Sequence, residues 1–145
     1  YDQLTGVYSM YSFMEHCKQY DEYNGSVAVV VCDINHLSDI NIQYGQKAGN
    51  QALINVAGVL KKILMDRAYI ARINEGDFVA VMKNVTDAEA GKTFEQIKRT
   101  VEKECSNGKF GVTIEYGIAM RKASNRWIMD IVHEAVNDMR DRKGR

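Results

Sequence analysis

The longest apolar run of this chain constrains its fold more than any other feature. Six residues from Val27 to Cys32 are apolar without interruption, four of them are valine, and the turn-forming segment Asn24-Gly25-Ser26 precedes them. Short, uninterrupted runs rich in β-branched residues are typical of strands that are buried on both faces. The run therefore predicts the central strand of a sheet whose two faces are both covered.

The elements predicted around this strand alternate between helices and strands. Apolar residues at three- and four-residue intervals predict helices, whereas short β-branched or alternating segments predict strands. The predictions are helices over 9–23, 51–65, 86–105 and 128–139, a hairpin of strands over 69–73 and 78–82, and a strand over 112–120. With one further helix between the first strand and residue 51, the predicted order is α-β-α-α-β-β-α-β-α, which indicates an α+β, ferredoxin-like sheet covered by helices.

Charge and composition argue against several classes of function. Lysine plus arginine and aspartate plus glutamate both number 19, so the net charge is zero and favours neither nucleic acid nor a membrane surface as partner. The longest apolar run is far shorter than the about 20 residues that span a bilayer, and no leader pattern opens the chain, which predicts a cytoplasmic domain. Three widely separated cysteines predict reduced thiols rather than disulfides or a zinc site.

No internal boundary is visible along the chain. It contains no proline, no Gly/Ser-rich linker and no repeat, so residues 1–145 are expected to form one domain around one core. Because the first residue is tyrosine rather than methionine, we expect the domain to be excised from a longer multidomain signalling protein.

Asp33 directly follows the predicted central strand, at an end of the sheet where ligand sites commonly lie. Magnesium usually takes one or two protein carboxylates together with water and substrate phosphates. The neighbouring hairpin offers Glu75 and Asp77 as a second acid. These residues predict a magnesium–nucleotide site. The alternative is that Asp33 merely ends the strand and caps the next helix, and the residue types alone leave both open.

Three segments resemble the motifs of the GGDEF family, the diguanylate cyclases. Residues 2–8 (DQLTGVY) resemble DxLTGLxN, residues 33–53 resemble DxDxFKxINDxxGHxxGDxxL, and residues 72–78 (RINEGDF) resemble RxGGDEF. They follow the family's order and spacing over essentially the whole chain. The resemblance implies a nucleotidyl-cyclase palm-like sheet. It also implies a homodimer in which two domains, each holding one GTP with Mg²⁺, meet head to head and form cyclic di-GMP.

Several positions match the family's functional residues. Asp33 matches its metal-binding acid, and Ile34 matches the residue whose backbone carbonyl also contacts metal. Asn41 matches the asparagine that reads guanine, and Asn50 stands where a guanine-reading aspartate usually lies. Arg145 matches the arginine of the family's C-terminal motif. The resemblance thus assigns metal binding to two of these residues and nucleotide binding to the other three.

The signature hairpin departs from the family's pattern. Its glycines are replaced by Asn74 and Glu75, and its essential acid is replaced by Gly76; Asp77 and Phe78 complete the motif. Losing one of two metal-holding acids weakens charge compensation at the reacting phosphate, so rates should fall by orders of magnitude. Glu75 adds bulk and negative charge where a triphosphate would lie.

The C-terminal motif is altered as well. Asp141 falls where the family places a phosphate-binding lysine, and Ser38 replaces the usual lysine of FKxIN. One of Arg140, Arg142 and Lys143 could supply the missing cation. The alternative is a solvated basic helix end, which the helix dipole favours.

The resemblance and its departures together predict a catalytically inactive, regulatory GGDEF domain that retains GTP or metal binding through Asp33, Ile34 and Asn41. Its expected partners are GTP, a second copy, and a neighbouring sensor or phosphodiesterase domain in a parent protein that could itself be membrane-anchored. One alternative is a weakly active cyclase in which Glu75 or Asp77 replaces the missing acid. Another is a purely structural domain without a ligand.

Overall fold

The computed structural model describes residues 1–144, in which five α-helices and four β-strands alternate along the chain. In chain order they are α1 (Met10–Glu22), β1 (Val27–Ile34), α2 (Leu37–Tyr44), α3 (Gln46–Leu64), β2 (Tyr69–Arg72), β3 (Asp77–Lys83), α4 (Asp87–Glu104), β4 (Ile114–Arg121) and α5 (Ile128–Lys143). A short 3-10 helix, Met65–Arg67, follows α3. None of the helices in the described range has both the length and the apolar character needed to cross a membrane.

The four strands form one antiparallel sheet in the order β2-β3-β1-β4. β1 lies between β3 and β4, and seven of its eight residues are buried, as the valine run predicts. Helices connect β1 to β2 and β3 to β4, which is the split arrangement of ferredoxin-like folds. The predicted α+β class and the order of elements are therefore confirmed.

Helices cover both faces of this sheet. Successive residues of a strand point to opposite faces. Val30 and Cys32 therefore share one hydrophobic core with apolar residues of α3 and α4, whereas Val29 and Val31 share another with residues of α1 and α5. From Val27 to Cys32 the strand is apolar at every position because both of its faces are packed.

Two boundaries differ from the prediction in ways that shape the candidate site. β1 continues to Ile34, so Asp33 lies within the strand and pairs with neighbours on both sides. α3 begins at Gln46. The residue before it, Gly45, has a φ of 96° and forms the turn between α2 and α3. The residue that precedes α2 is His36, so the alternative that Asp33 caps this helix is wrong.

Candidate functional site

A row of three carboxylates crosses the sheet near the end of β1. Asp33 pairs directly with Asp77 of β3 on one side and with Glu115 of β4 on the other. Directly paired residues of antiparallel strands point to the same face of a sheet. The three acids therefore share the face that α1 and α5 cover, which leaves Asp33 between two negative neighbours.

The ammonium group of Lys143 reaches this row from the last turn of α5. Its Nζ lies 2.5 Å from Oδ2 of Asp33, whose side chain is only 17% exposed. The pKa of Asp33 lies above its ordinary value of 3.8 because the carboxyl group is buried; Lys143 opposes this rise, and the charges of Asp77 and Glu115 add to it. Lys143 therefore supplies positive charge where the sheet concentrates negative charge.

The neighbouring basic residues of α5 are placed differently. Nε of Arg142 donates to Oδ2 of Asp138 at 2.9 Å, and its guanidinium lies 4.6 Å from the ring centre of Tyr116. Arg140 is exposed. Of the three basic residues considered at this helix end, Lys143 contacts the carboxylate row.

An open cavity of about 370 Å³ lies beside the Lys143–Asp33 ion pair. Its walls include Asp33, Ile34, Asn41, Glu75, Gly76 and Asp77. The fold thus brings together the expected metal-binding positions, the expected guanine-reading residue and the middle of the altered hairpin. Clefts of about 510 to 530 Å³ lie elsewhere on the described chain, but none of these six residues lines them.

The side-chain amide of Asn41 packs against Gly49 of α3. A Cβ on Gly49 would lie 1.6 Å from the amide oxygen of Asn41, so glycine is needed here to accommodate that side chain. This oxygen is buried and accepts no hydrogen bond within the described residues, and the same holds for Oδ1 of Asp33. Buried acceptors are normally paired. Asn41 and Asp33, which line the same cavity, therefore each have an unpaired oxygen that could accept a hydrogen bond from an N–H group.

The hairpin between β2 and β3 is fixed by local hydrogen bonds. Nε and Nη2 of Arg72 donate to the carbonyl oxygen of Glu75, at 3.1 and 2.7 Å. The amide of Asn74 donates to Oδ2 of Asp77 at 3.0 Å. Gly76 contributes only backbone to the cavity wall, although it occupies the position where the family pattern has its essential acid.

The two acids of the hairpin are placed differently relative to Asp33. Glu75 is exposed, whereas Asp77 is half-buried and directly paired with Asp33. Phe78, which completes the motif, is buried in the core with α3 and α4 and anchors the start of β3. Of the two acids considered as replacements, Asp77 is the one that the fold places beside Asp33.

The other residues predicted to bind nucleotide are not seen to line this cavity. Asn50 does not line the cavity, and its amide oxygen accepts a hydrogen bond from Nε2 of Gln46 at 3.1 Å. Ser38 does line it. Arg145 lies outside the described residues. The nucleotide-binding roles of Asn50 and Arg145, like the roles of the cavity residues, stay predictions.

The donor set around Asp33 is incomplete for a divalent metal ion. Magnesium demands near-octahedral oxygen coordination and commonly uses one or two carboxylates. Oδ2 of Asp33 is bound to Lys143 and Oδ2 of Asp77 to Asn74, while Gly76 has no side chain to offer. Nowhere in residues 1–144 do three or more His, Cys, Asp or Glu side chains form a group that could hold a metal. Oδ1 of Asp33 stays unpaired, but with its other oxygen held by Lys143 and no acid at Gly76 the residues present fit a resident magnesium ion poorly.

Sequence reasoning did not assign the contacts of Lys143 and Glu115. Lys143 and Asp33 are 110 residues apart, and no local pattern reports such a pairing. Glu115 carried a weak signal, because it is a charged residue within an otherwise mostly apolar strand. Its pairing with Asp33 follows only once the register of β1 and β4 is known.

Comparisons with known proteins converge on one family. The sequence profile described as "Diguanylate cyclase, GGDEF domain" matches residues 1–145. The uncharacterized protein YhcK of Bacillus subtilis is 32% identical over 128 residues, which cover 82% of this chain and 36% of that protein. The probable diguanylate cyclase DgcF of Escherichia coli O157:H7 is 26% identical over 134 residues, which cover 90% of this chain and 28% of that protein. The chain thus spans about a third of the length of these relatives.

A solved structure agrees with the fold. The crystal structure of the GGDEF domain of DgcB from Caulobacter crescentus in complex with c-di-GMP matches with a TM-score of 0.87, over 97% of this chain and 87% of that one. Sequence identity over the match is 20%, so this likeness bears on the fold alone. It confirms the predicted palm-like sheet covered by helices.

Proposed function

Because this chain belongs to the GGDEF family of diguanylate cyclase domains, we propose that it is a degenerate member without cyclase turnover that acts as a regulatory domain in cyclic di-GMP signalling. It would work in the cytoplasm as one domain of a longer protein and influence a neighbouring sensor or phosphodiesterase domain. The short span of the chain relative to its relatives supports this arrangement. Such a domain can regulate by making different contacts in two states of its neighbour.

The observation that carries the proposal is Gly76. This residue lines the cavity at the position of the family's essential acid and has no side chain with which to hold a metal or balance charge on a phosphate. Removing such preorganised electrostatic stabilisation typically costs about 2.7–4 kcal/mol of transition-state free energy, or about 10²–10³ in rate. Without that carboxylate, the cavity can hold a ligand better than it can turn one over.

The part of the cavity best suited to a ligand surrounds Asn41. Its amide offers an unpaired buried oxygen, and Gly49 leaves it the room to lie flat against α3. Guanine carries N–H donors along its pairing edge, and a carboxamide can both donate to and accept from such an edge. We therefore include GTP binding through Asn41 in the proposal. The triphosphate would meet Asp33, Glu75 and Asp77 against one Lys143 ammonium, so we expect weak affinity.

A weakly active cyclase is the second candidate, and one specific observation favours it. Asp77 pairs directly with Asp33, so a second carboxylate does lie beside the first. Rotation of Asp77 away from Asn74 would free it to replace the acid missing at Gly76. Because catalytic geometry tolerates little displacement, we expect that replacement to be poor.

A cyclase assay separates the two candidates. We expect the purified domain, forced to dimerise through a fused coiled coil, to form no cyclic di-GMP from GTP with Mg²⁺ or Mn²⁺, because no carboxylate stands at position 76. Product would be followed by chromatography at high enzyme concentration over many hours. Product that disappears in Asp77→Asn would establish the weak cyclase and overturn the proposal. A family member with an intact motif, fused in the same way, serves as positive control.

The guanine pocket can be tested by filling it. Gly49→Ala would place a methyl group on the position of the Asn41 amide oxygen and push that side chain away. Losing its hydrogen bonds should weaken GTP binding by about tenfold or more, and Asn41→Ala should do the same. Titration calorimetry measures both variants.

The matched control for Gly49→Ala lies in the same helix. Gly58 is exposed, and a Cβ there meets nothing within 4 Å. Gly58→Ala should therefore leave GTP affinity unchanged while favouring the helix. Unchanged affinity in Gly49→Ala, or GTP binding too weak to detect in the wild type, would contradict the proposed nucleotide pocket.

A further inference from the structure

We infer that Lys143 is the resident cation of the candidate site: an intramolecular ammonium that keeps divalent metal ions away from Asp33. The inference concerns the same cavity and rests on the proposed function in that a domain without turnover has no need of a metal. It assigns to α5 an inhibitory contact, because Lys143 occupies one oxygen of Asp33 and adds a positive charge that repels a divalent ion.

The contact is specific rather than a chance surface pair. Nζ of Lys143 lies 2.5 Å from one oxygen of a mostly buried carboxylate, and the lysine side chain is itself only 37% exposed. Asp77 and Glu115 flank that carboxylate on both sides; Glu115 is paired with Nζ of Lys98 at 3.3 Å, whereas among the described residues the cation paired with Asp33 is Lys143. Because the Asp33 end of this pair is largely withdrawn from water, the two charges interact more strongly than a fully exposed pair does.

The backbone places the ammonium there. Gly117 of β4 lies against the backbone of α5 at Ala135 and Met139, which brings helix and strand unusually close. Lys143 is one helical turn beyond Met139, and Glu115 is two residues before Gly117. α5 and β4 run in opposite directions here. The close approach at Gly117 therefore places Lys143 next to the carboxylate row.

An attached ammonium has two advantages over a free metal ion at this point. It is part of the chain, so its effective concentration near Asp33 is high without any binding event. It also needs only one strong acceptor. A divalent ion would give up tightly held water in exchange for an incomplete set of protein oxygens. With Gly76 in place of an acid, the carboxylate that the family pattern has at this position, which would favour the metal ion, is missing.

The inference predicts the direction in which metal affinity changes when the ammonium is removed. Lys143→Met keeps the length and apolar stem of the side chain but leaves Asp33, Asp77 and Glu115 without this cation. We expect Lys143→Met to bind Mn²⁺ at least tenfold more tightly than the wild type, without nucleotide. The probe is Mn²⁺ alone, and the readout is loss of the free-ion electron paramagnetic resonance signal during titration.

Two variants control for charge and for location. Lys143→Arg keeps a cation and should bind Mn²⁺ as the wild type does. Arg140→Met removes the same charge from an exposed position in the same helical turn and should have no effect. Adding Asp33→Asn to Lys143→Met should abolish the gain. Equal Mn²⁺ affinity in the wild type and Lys143→Met, or an equal gain in Arg140→Met, would overturn the inference.

A second measurement remains decisive if Lys143→Met fails to fold. In the wild type, amide resonances of Asp33 and Ile34 should not broaden selectively when Mn²⁺ is added to millimolar concentration. Selective broadening there would overturn the inference. Failure of the proposed function has a different signature, since cyclic di-GMP made by the wild type would contradict it at any Mn²⁺ affinity.

Discussion

Replacement of Gly117 by alanine is expected to lower the free energy of unfolding by about 3 kcal/mol or more, because the added methyl group meets backbone rather than side chains. Its Cβ would lie 2.1 Å from the carbonyl oxygen of Ala135 and 2.3 Å from the amide nitrogen of Met139. Neither atom can rotate away. Helix α5 must move off the sheet, which opens the core that Ile131 and Ala135 fill.

Urea denaturation followed by circular dichroism measures this loss. The matched control is Gly91→Ala in α4, where the new Cβ would make an ordinary 3.7 Å contact with Ile118, the strand neighbour of Gly117. We expect that control to match or exceed the wild type, since alanine favours a helix over glycine by about 1 kcal/mol. A Gly117→Ala protein within about 1 kcal/mol of the wild type would show that α5 can shift without cost.

If Gly117→Ala folds, it should also disturb the candidate site from a distance. A displaced α5 carries Lys143 away from Asp33, so Mn²⁺ binding should rise toward the level of Lys143→Met. This result would show that the packing of α5 against Gly117, in the middle of β4, holds Lys143 in place beside Asp33.

The parts of this fold that sequence could predict are those fixed by local chemistry. The apolar run from Val27 to Cys32 requires packed layers on both faces of a strand. It lies in β1, an interior strand of the sheet. The helix predicted over 86–105 begins at a capping box, in which Thr86 and Glu89 form both hydrogen bonds, each at 3.1 Å, and such a cap depends only on residues within one helical turn. Both features are decided within a few residues of chain.

What sequence could not predict depends on contacts between distant segments. The beginning of α3 at Gln46 was missed because the residues after Gly45 carry no apolar periodicity, and the turn at Gly45 sets the helix direction instead. Packing of Asn41 on Gly49 requires the corner between α2 and α3. The Lys143–Asp33 pair requires the close approach of α5 to β4, which a motif comparison does not contain.

Repair of the hairpin should have the largest effect on function. We expect Asn74→Gly/Glu75→Gly/Gly76→Asp, the repaired hairpin, to raise cyclic di-GMP formation by the dimerised domain at least about 100-fold above the wild-type background, because it restores the missing carboxylate. A Cβ at position 76 would lie 2.8 Å from Cδ2 of Leu37, the far end of a flexible side chain that can turn aside. Asn50 and Ser38 are unchanged, so turnover should stay modest.

The control for this repair separates backbone from charge. Asn74→Gly/Glu75→Gly restores both glycines but leaves Gly76, so it should form no product even though the loop is as open as in the repaired hairpin. Asp33→Asn in the repaired hairpin should abolish the gain. Equal product from the two-glycine variant and the repaired hairpin would mean that loop shape, not the missing acid, limits this domain.

The repaired hairpin also tests whether the lost acid and Lys143 act together. If the ammonium competes with metal for Asp33, then Lys143→Met alone should yield no product, because Gly76 still lacks a carboxylate, whereas in the repaired hairpin it should raise activity further. The two changes would then be non-additive, as expected for groups that share one partner. Lower activity on adding Lys143→Met would instead make this lysine a phosphate contact that the active state needs, and its pairing with Asp33 a resting position.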